Sequence, residues 1–160
     1  METERLVLRR FTTADVDNLA GLDADPDVMR FVNGGIPTSR DEIENEFLPA
    51  FLGYYQRYQE YGFWSAIERS TGDFLGWFHF RPRPGAVSGE VELGYRLRKC
   101  AWGKGYATEG SRALIRKGVH SRVGVSWRYT AGSGGSQGLP SMAARMASRA
   151  VTPWPAAEVR

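Results

Sequence analysis

A chain of 160 residues, 42% of them hydrophobic and 24% charged, is long enough to form one globular domain with a substantial core. It has no run of about eighteen apolar residues of the kind that spans a membrane. Residues 1–10 do not have the pattern of a signal or transit peptide. The single cysteine, Cys100, excludes an internal disulfide, and His79 and His120 lack metal-ligand spacing. We therefore expect a cytoplasmic protein with neither a membrane segment nor a metal site.

The positive charge of the chain is concentrated near its C-terminus. The net charge is +3, but residues 121–160 carry five arginines and a single acid, Glu158, so residues 1–120 are close to neutral. A protein that binds nucleic acid normally presents its basic residues on one face of the folded domain. Because no such face is apparent here, we expect no nucleic-acid partner.

The first sixty residues predict one strand followed by helices. Alternating apolar residues over 5–11 predict the strand. One of the threonines at 12–13 can cap a first helix, and Asp25-Pro26 is typical of the start of a second. A longer helix begins with a capping-box pattern at 39–42 and is expected to kink or break at Pro49.

The next sixty residues predict three consecutive strands and then a helix. The runs 63–68, 74–80 and 91–98 read as strands, and a glycine-rich turn precedes a helix over about 108–119. In the third run, Glu92 lies on the opposite face from the apolar residues. Helices followed by consecutive strands are typical of an α+β fold rather than of repeated βαβ units. We therefore predict a mostly antiparallel sheet flanked by helices.

The glycine-rich turn has the features of an anion site. Gly103 and Gly105 allow backbone N–H groups to point outward, and the following helix adds its first free amides at its positive end. Phosphate or pyrophosphate is the ligand that such a site prefers, although a plain tight turn uses glycine too. The sequence does not fit a Walker loop, which has Ser or Thr after its lysine, because Gly105 follows Lys104. It does not fit a dinucleotide fingerprint either, because Thr108 stands where a third small residue is required.

Four segments in register resemble the GNAT acetyltransferases, in the branch of the ribosomal-protein N-acetyltransferases (RimJ/RimL-like). They are residues 3–11, 25–31 and 71–76, and the run from Glu92 to Leu97 together with the run from Trp102 to Glu109. The loop of the wider superfamily has the pattern Gln/Arg-x-x-Gly-x-Gly/Ala. In this chain Trp102 stands at its first position, Gly105 at its fourth and Ala107 at its sixth. The resemblance covers about residues 3–120.

The resemblance implies that acetyl-CoA is the co-substrate and that a primary amine, a protein N-terminus or a small molecule, attacks its thioester directly. Glu92 would lie on the strand that lines the reaction centre and is the candidate general base, acting through water. The alternative for Glu92 is an ordinary solvated strand carboxylate. The implied cofactor-binding residues are Tyr95, Arg96, Leu97, Arg98, Trp102, Gly103, Lys104, Gly105, Tyr106, Ala107 and Thr108.

The composition changes abruptly after His120. Residues 121–160 are rich in Ala, Ser, Gly, Arg and Pro and contain no Asp, Lys, Ile or Phe. The resemblance requires a fifth strand, for which 123–130 is a candidate, and then a helix and two strands that this composition does not show. We therefore predict an acetyltransferase-like domain over 1–131 and a poorly ordered tail over 132–160, with the hypothesis that the tail is read out of frame.

Two functions follow from these predictions. The first is an acetyl-CoA-dependent N-acetyltransferase with an α+β GNAT fold whose C-terminal part is incomplete or divergent. The alternative is a catalytically impaired remnant that only binds CoA or forms a homodimer through the edge of its unfinished sheet.

Overall fold

The computed structural model describes residues 1–82 and 91–120, which form a four-stranded sheet with helices on both faces. No helix within these two ranges is long and apolar enough to cross a membrane. The elements are β1 (Leu6–Arg9), α1 (Val16–Asp23), α2 (Pro26–Asn33), α3 (Arg40–Glu42), a π-helical turn (Ile43–Phe47), α4 (Leu48–Arg57), β2 (Gly62–Glu68), β3 (Phe74–Pro82), β4 (Val91–Leu97) and α5 (Tyr106–His120).

The sheet is antiparallel throughout, with its strands in the order β1-β2-β3-β4. Trp64 of β2 and Tyr95 of β4 both pair with Phe78 of β3, which fixes the register across the three strands. This confirms the predicted α+β fold with an antiparallel sheet. Because side chains alternate along each strand, the sheet presents two apolar faces that must both be covered.

One face of the sheet packs against α5. Phe78 and Phe80 of β3 are fully buried there, together with Leu114 of the helix. Two helical glycines make the contact close, because a Cβ at Gly110 would lie 2.3 Å from the Phe78 ring and a Cβ at Gly118 would lie 2.5 Å from the Phe80 ring. The backbone of α5 therefore rests directly on two aromatic rings of the central strand.

The opposite face of the sheet packs against the helices that precede β2. Phe51 of α4 stacks on Phe63 of β2 with ring centroids 3.8 Å apart, and Trp77 of β3 meets the Phe51 ring edge-on at 5.7 Å. Leu22 of α1 and Val28 of α2 complete this second core. Offset and edge-to-face aromatic contacts of this kind add to the free energy gained from burying the rings.

The helix predicted from residue 39, with a kink or break at Pro49, consists in the structure of α3, the π-helical turn and α4, which follow one another without a gap from Arg40 to Arg57. Pro49 is the second residue of α4, directly after the π-helical turn, so the irregularity of the helix falls next to the proline. The predicted strand over 123–130 and the tail over 132–160 lie outside the described residues.

A pair of glycine substitutions tests the close packing of α5. We expect Gly110→Ala to lower the free energy of unfolding by about 1–3 kcal/mol, because the new methyl group overlaps the Phe78 ring. The matched control is Gly53→Ala in α4, where a Cβ meets no atom within 4 Å. There the gain in helix propensity should stabilise the protein by about 0.5–1 kcal/mol. Urea denaturation of both variants measures the two effects, and a stabilising Gly110→Ala would contradict the packing.

Asp15 anchors the connection between β1 and α1. Its carboxylate is buried and accepts two hydrogen bonds from the Arg9 guanidinium, at 2.8 and 2.7 Å, and others from the Thr12 N–H and the Asn18 amide. Burial alone raises the pKa of Asp15, but these hydrogen bonds and the charge of Arg9 outweigh it and lower the pKa to about 2. The folded state therefore favours the ionised carboxylate.

This linkage predicts a pH dependence of stability. A carboxyl group whose pKa falls from 3.8 to about 2 on folding stabilises the fold above pH 3.8, and the effect is lost as the pH falls through about 2. We expect Asp15→Asn to lower the free energy of unfolding at pH 7 by about 1–3 kcal/mol. The difference from the parent should shrink between pH 4 and pH 2. Asp17→Asn, at an exposed position, is the control and should change stability little.

Candidate active site

Strand β4 connects the two parts of the predicted site. Glu92 lies near its beginning, and the glycine-rich loop follows its end after a short 3₁₀ turn, Lys99–Ala101. The five steps from Glu92 to Leu97 extend roughly 17 Å at the usual rise of a strand. The carboxylate and the loop are therefore at opposite ends of one rigid element.

Glu92 lies on the face of the sheet that packs against α1, α2 and α4, in a cluster of polar side chains. Its Oε1 is 3.8 Å from Nε2 of His79, and its Oε2 is 3.4 Å from a guanidinium nitrogen of Arg81. The Glu92 side chain is 24% exposed, whereas His79 and Arg81 on β3 are buried. Burial raises the pKa of Tyr54 on α4 to about 12, and both Glu92 and Arg81 lie close enough to act on its charge. A partly accessible carboxylate thus stands at the edge of a buried polar cluster.

Arg96 lies four residues after Glu92 on the same face of β4, and its side chain is bound within the fold. Its guanidinium donates hydrogen bonds of 2.5 and 2.6 Å to the two carboxylate oxygens of Asp23 at the end of α1. It also lies over the Trp77 ring, 5.2 Å from the centroid. This buried ion pair joins α1 to β4 and holds α1 against the face of the sheet on which Glu92 lies.

The loop after β4 has the backbone conformation that an anion site needs. Gly103 and Gly105 have positive φ values of 72° and 83°, which L-residues with side chains rarely adopt. A Cβ at Gly103 would point into open space. The first backbone hydrogen bond of α5 runs from Glu109 N–H to Gly105 O at 3.0 Å, so the N–H groups of residues 106–108 precede it. These amides lie at the positive end of the helix dipole.

Residues from the beginning of the chain hold this loop in place. Arg5 donates to the Lys104 carbonyl at 2.9 Å, and its guanidinium lies over the Tyr106 ring. Glu109, in the first turn of α5, accepts hydrogen bonds from the Thr3 hydroxyl at 2.6 Å and from Arg5, both its backbone N–H and its side chain, at 2.8 Å. Burial raises the pKa of Glu109, but these donors outweigh it and lower the pKa overall. The residues immediately before β1 therefore position the loop.

The indole of Trp102 connects the loop to β4. Its Nε1–H donates to the Leu97 carbonyl at 2.8 Å, and its ring meets Phe31 of α2 edge-on with centroids 5.9 Å apart. At the first position of the superfamily motif, the tryptophan side chain therefore has a structural contact with the end of the strand.

The structure assigns several predicted cofactor-binding side chains to internal contacts. Arg96 pairs with Asp23, Tyr95 packs on Phe78, Arg98 lies over the Phe74 ring, and the Tyr106 hydroxyl bonds Glu68. These side chains therefore have partners within the fold. Sequence reasoning did not identify several residues that surround the site, because their contacts join distant parts of the chain. These residues are Arg5, Asp23, His79, Arg81 and Glu109.

The chain belongs to the acetyltransferase (GNAT) domain family, whose model matches residues 5–150. The match confirms the family predicted from the sequence and extends beyond residue 120. Acetyl-CoA is the co-substrate of this family, and the open glycine loop with its outward amides fits a pyrophosphate group.

Three similar proteins illustrate the range of the family. The uncharacterized protein YkkB of Bacillus subtilis is 33% identical over 124 residues, covering 75% of this chain and 68% of its own length. The FsC-acetyl coenzyme A-N(2)-transacetylase of Aspergillus fumigatus is 31% identical, covering 59% of this chain and 42% of its own length. RimL, a ribosomal α-N-protein acetyltransferase solved with coenzyme A, has a TM-score of 0.60 at 17% identity, covering 75% of this chain and 67% of its own. The chain thus spans 42–68% of the length of the two curated relatives.

A substitution in the loop tests its role in cofactor binding. We expect Gly105→Val to weaken CoA binding by at least about tenfold, because a β-branched residue is strained at φ 83° and its Cβ would lie 3.4 Å from the Arg5 guanidinium. Gly72→Val is the matched control, since Gly72 has φ 79° in the turn between β2 and β3, outside the glycine-rich loop. It should suffer the same backbone strain but keep the parent's affinity. Calorimetric titration with CoA compares the variants, and equal affinities would contradict the loop assignment.

Proposed function

We propose that the protein transfers the acetyl group of acetyl-CoA to a primary amine, either a protein N-terminus or the amine of a small molecule, by direct attack. One observation carries the proposal. A partly exposed carboxylate and an amide-lined loop stand at the two ends of one strand, in a chain that belongs to the acetyltransferase (GNAT) family. This arrangement suits a long ligand with phosphates at one end and a reactive group at the other.

The loop would bind the phosphate end of the co-substrate. The backbone N–H groups of residues 103–108 supply donors at the positive end of α5, and the two glycines leave room for close approach. Arg5 and Glu109 keep the loop in this conformation from behind. The side chain of Lys104 is exposed and adds a positive charge near the phosphates.

Strand β4 would hold the extended arm between the phosphates and the thioester. In an antiparallel pair, alternate residues direct their backbone N–H and C=O groups away from the neighbouring strand. The groups of Tyr95–Arg98 that point away from β3 can therefore pair with the amides of the arm. This role requires only the backbone, in agreement with the internal contacts of the Arg96 and Arg98 side chains.

Glu92 would accept the proton of the attacking amine, directly or through water. The thioester of acetyl-CoA supplies the activated acyl group, and the amine must be neutral to attack it. As the C–N bond forms, the C–S bond breaks, and coenzyme A leaves as a thiol after its thiolate takes up one proton, which balances the proton lost by the amine. An α-amine has a reference pKa near 8 and a lysine near 10.4, so a single carboxylate base is better suited to α-amines and similarly weak bases. The two relatives with named activities, RimL and the Aspergillus transacetylase, are described as acting on an α-amine and at N(2) respectively.

The experiment is a calorimetric titration of the full chain with acetyl-CoA, followed by a thiol-release assay with short peptides that have a free α-amine. We expect binding within the range of about 1 μM to 1 mM that is typical of enzyme substrates. Glu92→Gln should keep this affinity and lower kcat by about 10²–10⁴-fold. Glu90→Gln, at a neighbouring carboxylate outside the described residues, is the control.

Other outcomes separate the remaining possibilities. Binding of acetyl-CoA without transfer to any amine in the panel would favour the binding-only remnant. The absence of binding at millimolar acetyl-CoA would contradict both functions. Full activity of Glu92→Gln would leave the transferase in place and remove Glu92 as its base.

A further inference from the structure

His79 is a fully buried polar residue that the proposed reaction does not use. It is 1% exposed, and neither Nδ1 nor Nε2 has a hydrogen-bond partner among the residues that the structure describes. Its ring packs between Phe63 and Trp77, with both centroid distances 5.9 Å. An unpaired buried polar group costs about 1–3 kcal/mol. A phenylalanine would make the same ring contacts without this cost, so packing alone does not explain the histidine.

The backbone of β4 is adapted to the His79 ring. His79 and Gly94 are cross-strand partners, and a Cβ at Gly94 would lie 2.5 Å from Cε1 and 2.8 Å from Nε2 of the ring. Any other residue at position 94 would displace the imidazole. Gly94 therefore brings the ring directly against β4, two residues from Glu92.

The surroundings of the ring favour its neutral form. Burial is the largest effect and lowers the pKa of His79 well below 6.5, and the charges of Arg81 and Arg96 lower it further. A neutral imidazole carries one N–H donor and one acceptor. Because the ring is buried and its pKa is lowered, His79 is a poor base for the proton of the amine, but its N–H can donate a hydrogen bond.

Glu92 is the acceptor that the geometry offers to this donor. Among the residues that the structure describes, the charged and titratable groups near the pair include Arg81 on β3, Arg96 on β4 with its partner Asp23 of α1, and Tyr54 on α4. The arginines are donors only. The carboxylate of Glu92 has Oε1 3.8 Å from Nε2 of His79 and Oε2 towards Arg81. At 3.8 Å this contact is longer than a hydrogen bond, so the proposed bond requires the two side chains to move closer together.

We propose that His79 is a positioning residue for Glu92, which donates a hydrogen bond from Nε2–H to Oε1 and fixes the orientation of the carboxylate towards the amine. Contacts of Oε1 with His79 and of Oε2 with Arg81 would restrain the rotation of the carboxylate, whose side chain remains 24% exposed. No covalent bond changes at His79, and its proton stays on Nε2 throughout. The catalytic part of this inference rests on the proposed function, whereas the hydrogen bond itself does not.

The hydrogen bond can be measured without any acetyl transfer. The chain contains only two histidines, so the ring nitrogens of His79 can be assigned by NMR on the nitrogen-labelled full chain with His120→Gln as reference. We expect a ring with its proton on Nε2 that titrates well below pH 6.5, where an ordinary histidine would titrate. Glu92→Gln should shift the Nε2 resonance, since the charged acceptor is lost. A ring that titrates near its ordinary pKa, or one whose resonances do not respond to Glu92→Gln, would overturn the proposal.

The kinetic test compares three variants with the parent. A positioning residue is expected to affect kcat by about 10–100-fold, so His79→Phe should lower kcat to this extent while the KM for acetyl-CoA stays within about threefold. His79→Gln retains an N–H donor of similar reach and should recover part of the activity. Gly94→Ala keeps the histidine but displaces its ring, and it should reproduce the loss.

The outcomes separate this inference from the proposed function. If His79→Phe keeps the parent's kcat and pH profile, His79 is a core residue and the inference is wrong. If the parent neither binds nor turns over acetyl-CoA while the NMR response to Glu92→Gln is present, the hydrogen bond stands and the proposed function fails. Where His79→Phe does not fold, as judged by thermal unfolding, His79→Gln and the NMR titration decide the question.

Discussion

The fold depends on burying one strand, β3, on both of its faces. Every residue from Phe74 to Arg81 is buried, and alternate side chains enter the core beneath α5 and the core beneath the earlier helices. Such burial is possible only where the neighbouring backbones come close. Gly94 on β4 and Gly110 and Gly118 on α5 are glycines for this reason, since a Cβ at each would overlap a side chain of β3. The buried side chains of β3 therefore require glycine at these three positions of β4 and α5.

The same burial accounts for the polar cluster on the face of the sheet that packs against α1, α2 and α4. Placing Arg81 and His79 on a buried strand removes them from water, which costs free energy unless the groups are paired or serve a purpose. Arg96 meets this requirement through its two hydrogen bonds to Asp23, and Arg81 partly through Glu92. The cluster ends at a carboxylate that is accessible from outside. This arrangement places a carboxylate at the border between a rigid core and the solvent.

The glycine-rich loop after β4 is held in place by residues from the beginning of the chain. Arg5 and Glu109 are more than a hundred positions apart, yet they form a salt bridge of 2.7 Å, and Glu109 also accepts hydrogen bonds from the Thr3 hydroxyl and the Arg5 backbone N–H. The loop conformation is consequently coupled to the pairing of β1 with β2, since Arg5 immediately precedes β1. A domain that lost its first strand would lose the support of its loop as well.

The sequence by itself determined the order of the elements, the antiparallel sheet, the glycine loop and the family. These features are local, because strand alternation, helix caps such as Asp25-Pro26 and positive-φ glycines are encoded within a few neighbouring residues. The family resemblance likewise rested on short runs in register. Boundaries were less well predicted, since Pro49 could be placed at the first turn of α4 only once the π-helical turn before it was known.

Only the tertiary structure decided which side chains surround the site. His79 read as an ordinary strand residue until β4 brought Glu92 within 3.8 Å, and Arg96 read as a cofactor contact until α1 brought Asp23 against it. The support of the loop by Arg5 likewise joins residues that no local pattern connects. Local propensities depend on neighbours in the chain, whereas these contacts depend on how the helices and strands pack, which one sequence without its fold does not specify.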